Sequence, residues 1–274
     1  MELSVIIPTY NRYEFLKRAL RSIYDQSLLP KEVIVVDDGS EDATRNIQNE
    51  FPHIKYIFQA NQGVSSARNR GIISSNFEWI AFLDSDDRWE SEKLAKHKAF
   101  HTLHPKSMMS YTDELWIRDA KVIKVPKKYQ KPAEGLFEKS LSHCIIAPSS
   151  ACIHRSVFEQ VGLFDESLEV CEDYDLWLRI ASEYEIGLIN EKLIHKYAGH
   201  SEQLSFKYWG MDRFRIRSLE KLLSLHPKHP HKEKIIQTLK EKYTLLLLGA
   251  IKYNKTQSIK IYEQKIEEIS QLLR

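Results

Sequence analysis

Short apolar runs and amphipathic stretches alternate through the first hundred residues of the chain. The apolar runs lie at residues 3–7, 33–36, 54–58 and 79–83, and a stretch with helical spacing follows each of them. Apolar runs of this length predict buried strands, and their alternation with helices predicts a mostly parallel sheet with right-handed crossovers. The pattern therefore predicts an α/β fold with helices on both faces of a central sheet.

Polar residues follow three of these strands at the point where each strand ends. They occupy residues 8–12, 37–40 and 84–87. Ligands of open α/β sheets bind outside the carboxyl ends of the strands. The three segments are therefore expected to lie along one edge of the sheet and to form one site.

The end of the fourth strand carries three carboxylates, Asp84, Asp86 and Asp87, within four positions. Carboxylates this close raise each other's pKa unless a cation or a hydrogen-bond donor is present. A hard divalent ion with oxygen ligands is the simplest partner. The alternative is a solvated acidic turn that caps a helix beginning near Glu90.

The pattern changes after residue 104. Residues 108–116 and 121–125 predict strands of a different, antiparallel region, and a further strand is expected at 149–154. A helix over 173–182 begins beside Glu172, Asp173 and Asp175. Acids in a first turn are also stabilised by the helix macrodipole without any catalytic purpose. From residue 208 onward the spacing of apolar residues is helical.

Composition limits the class of protein. The chain has 274 residues, of which 42% are hydrophobic, enough for one large domain or for a domain with an appendage. Its three cysteines form no C-x-x-C pair, which indicates neither a disulfide framework nor a zinc site. The longest apolar run of the C-terminal part, 245–251, is too short to cross a bilayer, and no basic leader opens the sequence. We therefore expect a cytoplasmic protein.

Charge is distributed unevenly along the chain. Residues 206–274 contain 15 Lys and Arg but only 7 Asp and Glu, whereas the rest of the chain is acidic. A basic tail can meet nucleic acid or anionic lipid, or it can be a solvated helical face.

Together these segments resemble the large inverting family-2 glycosyltransferases of the GT-A fold. The resemblance rests on PTYN at 8–11, VDDGS at 36–40, Gly63 with ARN at 67–69, LDSDD at 83–87, GLFDE at 162–166, ED with LWLR at 172–179, and Tyr197 with His200. It covers residues 1–205, with a nucleotide-binding half at about 1–105 and an acceptor-binding half at about 106–205. The helical extension at 206–274 lies outside it.

The resemblance implies a nucleotide diphosphate sugar as donor and Mn²⁺ or Mg²⁺ as cofactor. Such an ion accepts oxygens from carboxylate and phosphate together. Asp86 would be the direct metal ligand, and His200 would reach the diphosphate or its metal. UDP is the expected nucleotide, with dTDP as the alternative because both bases present the same edge.

The remaining donor-site roles are also implied by the resemblance. Tyr10 would stack on the base, Asp38 would accept from a uracil N–H, and Arg68 would donate to a base carbonyl or a phosphate. Asp84 and Ser85 would lie nearer the ribose. The donor-binding set is Pro8, Thr9, Tyr10, Asp38, Arg68, Asp84 and Ser85.

Inverting transfer needs a base that takes the proton of the attacking acceptor hydroxyl. In the family the aspartate of a Glu-Asp pair usually has this role. Asp173 is therefore the candidate base, and Glu172 is the neighbour that would orient it or bind the acceptor. The implied acceptor is a saccharide or a lipid-linked saccharide of cell-surface polysaccharide or glycoconjugate synthesis, and no nucleic acid is expected as a partner.

Two other functions compete for the same residues. An aspartate-dependent phosphohydrolase also has Asp-x-Asp after a strand. In that class, however, the motif usually follows the first strand, and Thr or Val usually occupies the position that Arg88 has here. A non-catalytic sugar-nucleotide-binding module would keep Tyr10 and Asp38 without needing Asp86 and Asp173. For the tail, we expect packing on the catalytic body, a homodimer contact or peripheral contact with the inner face of the cell membrane.

Overall fold

The computed structural model describes residues 1–197, 199 and 208–272. His200 and the expected domain boundary at residue 205 lie outside these residues. The division into a catalytic domain and an extension therefore stays a prediction.

Within the described residues, nine strands form one sheet and ten α-helices surround it. The strands are β1 Leu3–Thr9, β2 Glu32–Asp37, β3 Lys55–Phe58, β4 Trp79–Phe82, β5 Arg88–Trp89, β6 Met109–Arg118, β7 Lys121–Ile123, β8 Ala151–His154 and β9 Gly187–Tyr197. The helices are α1 Tyr13–Tyr24, α2 Ile47–Glu50, α3 Val64–Ser74, α4 Lys93–Leu103, α5 Leu136–Ser142, α6 Arg155–Val161, α7 Glu172–Glu183, α8 Asp212–Leu225, α9 Lys232–Lys252 and α10 Thr256–Gln271.

The sheet has the order β3-β2-β1-β4-β8-β6-β9-β5, with β7 beside β6. The first four strands are parallel, as the alternating pattern predicts. Beyond β4, strand β8 runs antiparallel to both of its neighbours, and β9 is parallel to β6. The α/β prediction is confirmed, and the sheet is parallel in its first half and mixed in its second.

Side chains of β1 alternate between the two faces of the sheet. Val5 and Ile7 pack with Leu16 of α1, whereas Ile6 packs on the opposite side with residues that include Ile72 of α3. Helix α3 comes very close here, because a Cβ at Gly71 would lie 2.4 Å from Cγ2 of Ile6. Both faces are thus covered, and the polar ends of β1, β2 and β4 stay at one edge.

The three C-terminal helices share a hydrophobic core with α5 and α7. This core contains Leu141, Tyr174, Leu178, Leu219, Leu222, Ile235, Leu239, Tyr243 and Ile269. The tail residues of this core therefore pack on the second half of the sheet domain. No helix in the described part of the chain is both long and apolar enough to span a bilayer.

A buried polar network joins helix α4 to the sheet. Lys93 Nζ lies 2.6 Å from His97 Nε2, and the Ser110 hydroxyl lies 2.7 Å from His97 Nδ1 and 2.8 Å from His101 Nε2. Burial lowers the pKa of Lys93 to about 7 and that of His101 to about 4. The ligand atoms of His97, His101 and Cys152 lie within 4.8 Å of one another, but hydrogen bonds already satisfy both nitrogens of each histidine ring.

We expect Ser110→Ala to lower the free energy of unfolding by about 1–3 kcal/mol, because it leaves buried ring nitrogens without a partner. Urea denaturation at neutral pH measures this change. The exposed Ser224→Ala is the matched control and should change stability by less than about 0.5 kcal/mol. Equal stability of the two variants would contradict the network.

Candidate active site

The acidic segment 84–87 forms the turn between β4 and β5. Helix α4 begins only at Lys93, and its N-cap residue Glu92 makes no side-chain cap hydrogen bond. The two-residue strand β5 separates the carboxylates from this helix. The alternative of an acidic turn that caps the helix is therefore wrong.

Asp87 points into the protein and fastens this turn. Its carboxylate accepts a hydrogen bond of 2.6 Å from the Ser149 hydroxyl and one of 3.4 Å from the backbone N–H of Tyr197. The same hydroxyl accepts from the backbone N–H of Asp84 at 3.0 Å. Burial, and then the charges of Asp86 and Asp84, raise the pKa of Asp87 well above its ordinary value. Asp87 is thus a structural acid.

Asp86 and Asp84 each form an ion pair with an arginine. Asp86 Oδ2 lies 3.0 Å from Arg12 Nη1, and Asp84 Oδ1 lies 2.7 Å from Arg68 Nη2. Both acids keep part of their side chains exposed, 15% for Asp86 and 26% for Asp84. The three carboxylates of the sequence motif therefore have three different environments.

Asp86 offers a partly exposed carboxylate to a divalent ion. Its present partner is Arg12, and an ion would have to replace or share this contact, because two cations beside one carboxylate repel each other. Mg²⁺ and Mn²⁺ bind carboxylate oxygens and usually complete their coordination with phosphate and water. Asp86 is the acid of this turn that would hold a metal, because the carboxylate of Asp87 is committed to the fold.

Arg68 lies between this turn and the start of helix α7. Its Nη2 contacts Asp84, and its Nη1 lies 2.6 Å from Glu172 Oε1. Burial alone would lower the pKa of Arg68, but the two carboxylates raise it above its ordinary value. Both terminal nitrogens are thus engaged with acids, and the expected contact with a base or phosphate stays a prediction.

The other expected donor residues lie at the same edge of the sheet. Pro8 and Thr9 end β1, and Ser85 is buried in the acidic turn. Tyr10 follows them with 46% of its surface exposed, so its ring is available for stacking.

Asp38 is buried and holds the loop that leads to helix α3. Its Oδ1 accepts hydrogen bonds of 2.8 Å from Gln59 Nε2 and 2.9 Å from the backbone N–H of Gln62. Its Oδ2 accepts one of 2.8 Å from the backbone N–H of Gly63. A carboxylate has about four acceptor positions, so about one stays available to a ligand.

Glu172 and Asp173 are the first residues of α7, and the structure separates them. Glu172 is buried against Arg68, and burial raises its pKa to about 7 although the arginine opposes this. Asp173 is only half-buried, and its Oδ1 accepts a 2.7 Å hydrogen bond from the backbone N–H of Tyr174. Asp173 is therefore the more accessible carboxylate of the pair.

Lys196 is a site residue that the sequence analysis missed. Burial alone would lower its pKa, but Glu114, Asp87 and Asp173 raise it above the ordinary value. The charges of acids from three separate segments thus act on its ammonium. Arg12 belongs to the segment 8–12 that was expected at the site, but its ion pair with Asp86 was not predicted. No sequence signal marks Lys196, because its partners come from distant segments.

Known proteins with similar sequences belong to one family of glycosyltransferases. The model of the family described as glycosyl transferase family 2 matches residues 4–162, more than half of the chain. The chain spans 54–62% of the length of three uncharacterized glycosyltransferases from Rickettsia and Nostoc, to which it is 30–34% identical. It is 30% identical to the UDP-Glc:alpha-D-GlcNAc-diphosphoundecaprenol beta-1,3-glucosyltransferase WfaP of Escherichia coli, over 72% of this chain and 77% of that protein.

Two solved structures share the fold. TarS 1–349 of S. aureus in complex with UDP-GlcNAc has a TM-score of 0.66 at 19% identity, covering 98% of this chain and 92% of that one. The mannosyltransferase PcManGT of Pyrobaculum calidifontis, in complex with GDP-Man and Mn²⁺, has a TM-score of 0.62 at 18% identity, covering 99% and 85%. The family match shows that the chain belongs to glycosyltransferase family 2, and its fold is the GT-A fold.

Proposed function

We propose that the chain transfers a sugar from a UDP-sugar to an acceptor hydroxyl, with inversion at the anomeric carbon and with Mn²⁺ or Mg²⁺ as cofactor. The observation that carries this proposal is the chain of contacts Asp84–Arg68–Glu172. These contacts join Asp84, which we expect beside the nucleotide, to Glu172, which we expect beside the acceptor. WfaP, by its name, uses UDP-Glc, and TarS binds UDP-GlcNAc, which supports a UDP-sugar donor.

In this proposal the nucleotide lies at the ends of β1, β2 and β4. Tyr10 stacks on the base and the remaining acceptor position of Asp38 receives its N–H. Asp86 would hold the metal, which supplies positive charge to the leaving diphosphate. His200 would assist there, although it lies outside the described residues. Arg12, now paired with Asp86, is positioned to donate to phosphate oxygens.

Asp173 takes the proton of the acceptor hydroxyl as that oxygen attacks the anomeric carbon. Glu172 is held by Arg68 and acts as a positioning residue. The sugar acceptor thus approaches from the side of α7, opposite the diphosphate.

The acceptor in this proposal is a lipid-linked saccharide of cell-surface polysaccharide or glycoconjugate synthesis. The name of WfaP gives a GlcNAc-diphosphoundecaprenol acceptor, which supports this class. We accordingly infer a cytoplasmic enzyme that works at the inner face of the cell membrane.

Asp86→Ala is expected to remove most of the metal dependence of UDP binding, because it deletes the metal's protein carboxylate. Calorimetric titration of UDP with and without Mn²⁺ measures this effect. Glu41→Gln, an exposed acid in a neighbouring loop, serves as the control and should keep the dependence. Equal UDP affinity of the wild type with and without Mn²⁺ would refute the metal assignment.

Asp173→Asn is expected to slow sugar transfer by about 10²- to 10⁴-fold with UDP affinity unchanged, because an amide keeps the shape but takes no proton. Transfer from UDP-GlcNAc or UDP-Glc and calorimetry with UDP give the two readouts. Glu172→Gln should instead lower stability through its pair with Arg68. The assignment of the base fails if Asp173→Asn is fully active.

Arg68→Met is expected to lower the free energy of unfolding by about 3–5 kcal/mol, because Asp84 and Glu172 lose their shared partner. Adding Glu172→Gln should recover part of this loss, which a double-mutant cycle in urea would show. Arg70→Met changes an exposed arginine of the same helix and should have little effect. Additive effects of Arg68→Met and Glu172→Gln would contradict the coupling.

A further inference from the structure

A patch of aromatic and basic side chains covers the turn between α9 and α10. Tyr253 and Trp209 are 68% and 63% exposed, and Ile251 is 49% exposed. The Trp209 ring has the Arg213 guanidinium 3.9 Å and the Lys255 ammonium 4.9 Å from its centroid. We call this surface the turn patch, and it consists of Trp209, Arg213, Ile251, Lys252, Tyr253 and Lys255.

An exposed apolar face of α9 continues from the turn patch. Leu248 and Leu245 lie three and six residues before Ile251, and they are 58% and 59% exposed. Residues three or four apart share a face of a helix, so these side chains extend the apolar surface along α9. The C-terminal core does not use this face, because it buries Leu239, Tyr243 and Ala250 instead.

The net charge around the turn patch is positive. Residues 244–262 contain three lysines and no Asp or Glu. On the α8 side, Asp212 is neutralised by ion pairs with Arg215 at 3.0 Å and Lys242 at 2.8 Å. Exposed tryptophan and tyrosine mixed with lysine and arginine are typical of protein surfaces at the headgroup level of a membrane.

The turn patch is linked to the acceptor end of the site. The carbonyl of Met211, between Trp209 and Arg213, accepts a 3.9 Å hydrogen bond from the Cys171 thiol. Cys171 directly precedes Glu172 and Asp173 at the start of α7. A ligand bound to the turn patch would therefore lie close to the start of α7, where we expect the acceptor.

We propose that the turn patch binds the anionic surface of a phospholipid membrane. The proposal deepens the proposed function, because it rests on a lipid-linked acceptor and names the surface that meets the lipid. The complementary charge favours anionic headgroups over a second copy, since two copies of the same basic patch would repel each other. The aromatic rings and Ile251 enter the interface, and the lysines and Arg213 contact phosphates.

Sedimentation of the full chain with vesicles tests this proposal. Vesicles of phosphatidylglycerol and phosphatidylethanolamine are compared with phosphatidylcholine vesicles, each at low and high salt. The wild type should bind the anionic vesicles at low salt, and binding should weaken as salt screens the charges. Lys252→Glu with Lys255→Glu should weaken binding about tenfold or more. Trp209→Ser with Tyr253→Ser should weaken it at both salt concentrations.

Lys228→Glu with Lys232→Glu is the matched control, because it makes the same change of net charge at the other end of α9. The two ends lie about 30 Å apart, well beyond the Debye length. This control should bind vesicles nearly as the wild type does, and thermal melting should show that all variants fold.

Three results would overturn the proposal. The first is that the wild type shows no preference for anionic vesicles. The second is that the control variant loses as much binding as the variant with Lys252→Glu and Lys255→Glu, and the third is a concentration-dependent dimer that Trp209→Ser with Tyr253→Ser abolishes. Calorimetry with UDP reports on the donor site independently. Normal UDP binding without vesicle binding would refute the turn patch while leaving the proposed function standing.

Discussion

The buried guanidinium of Arg68 is the interaction on which the arrangement of the site depends. It comes from α3, and it joins the turn after β4 to the first residue of α7. Without it, the buried carboxylate of Glu172 and the partly exposed one of Asp84 would lose the cation that they share. A guanidinium suits this position because its planar fork donates to two acids at once and stays protonated when buried. The relative placement of the two groups of acids thus follows from one side chain.

Positive charges supplied by the protein balance the other acids in the same way. Arg12 pairs with Asp86, and Lys131 Nζ lies 3.2 Å from the buried Glu114. Burying a charge is costly unless it is paired and hydrogen-bonded, so each of these acids requires its cation for the fold to be stable.

The sequence predicted the strands and the acids at their ends, because these features depend on residues that are neighbours in the chain. The apolar runs at 3–7 and 79–83 predicted strands of one mostly parallel sheet, and the acids after the second run predicted an acidic edge; the structure adds that these two strands are neighbours. Local patterns could not show that Asp87 turns inward, because its partner Ser149 lies far away in the chain. They also could not show that the register between β6 and β9 shifts, because a register depends on both strands. The helical spacing of the tail predicted an apolar face, but only the tertiary structure shows that α5 and α7 cover it.

The three hydrogen bonds accepted by Asp38 have a consequence for the thermodynamics of ligand binding. They fix Gln59, Gln62 and Gly63 in the folded protein, so the conformational entropy of this loop is lost during folding rather than on association. A ligand that enters beside the loop meets a rigid wall and need not order it. Preorganisation of this kind increases affinity without adding a single contact.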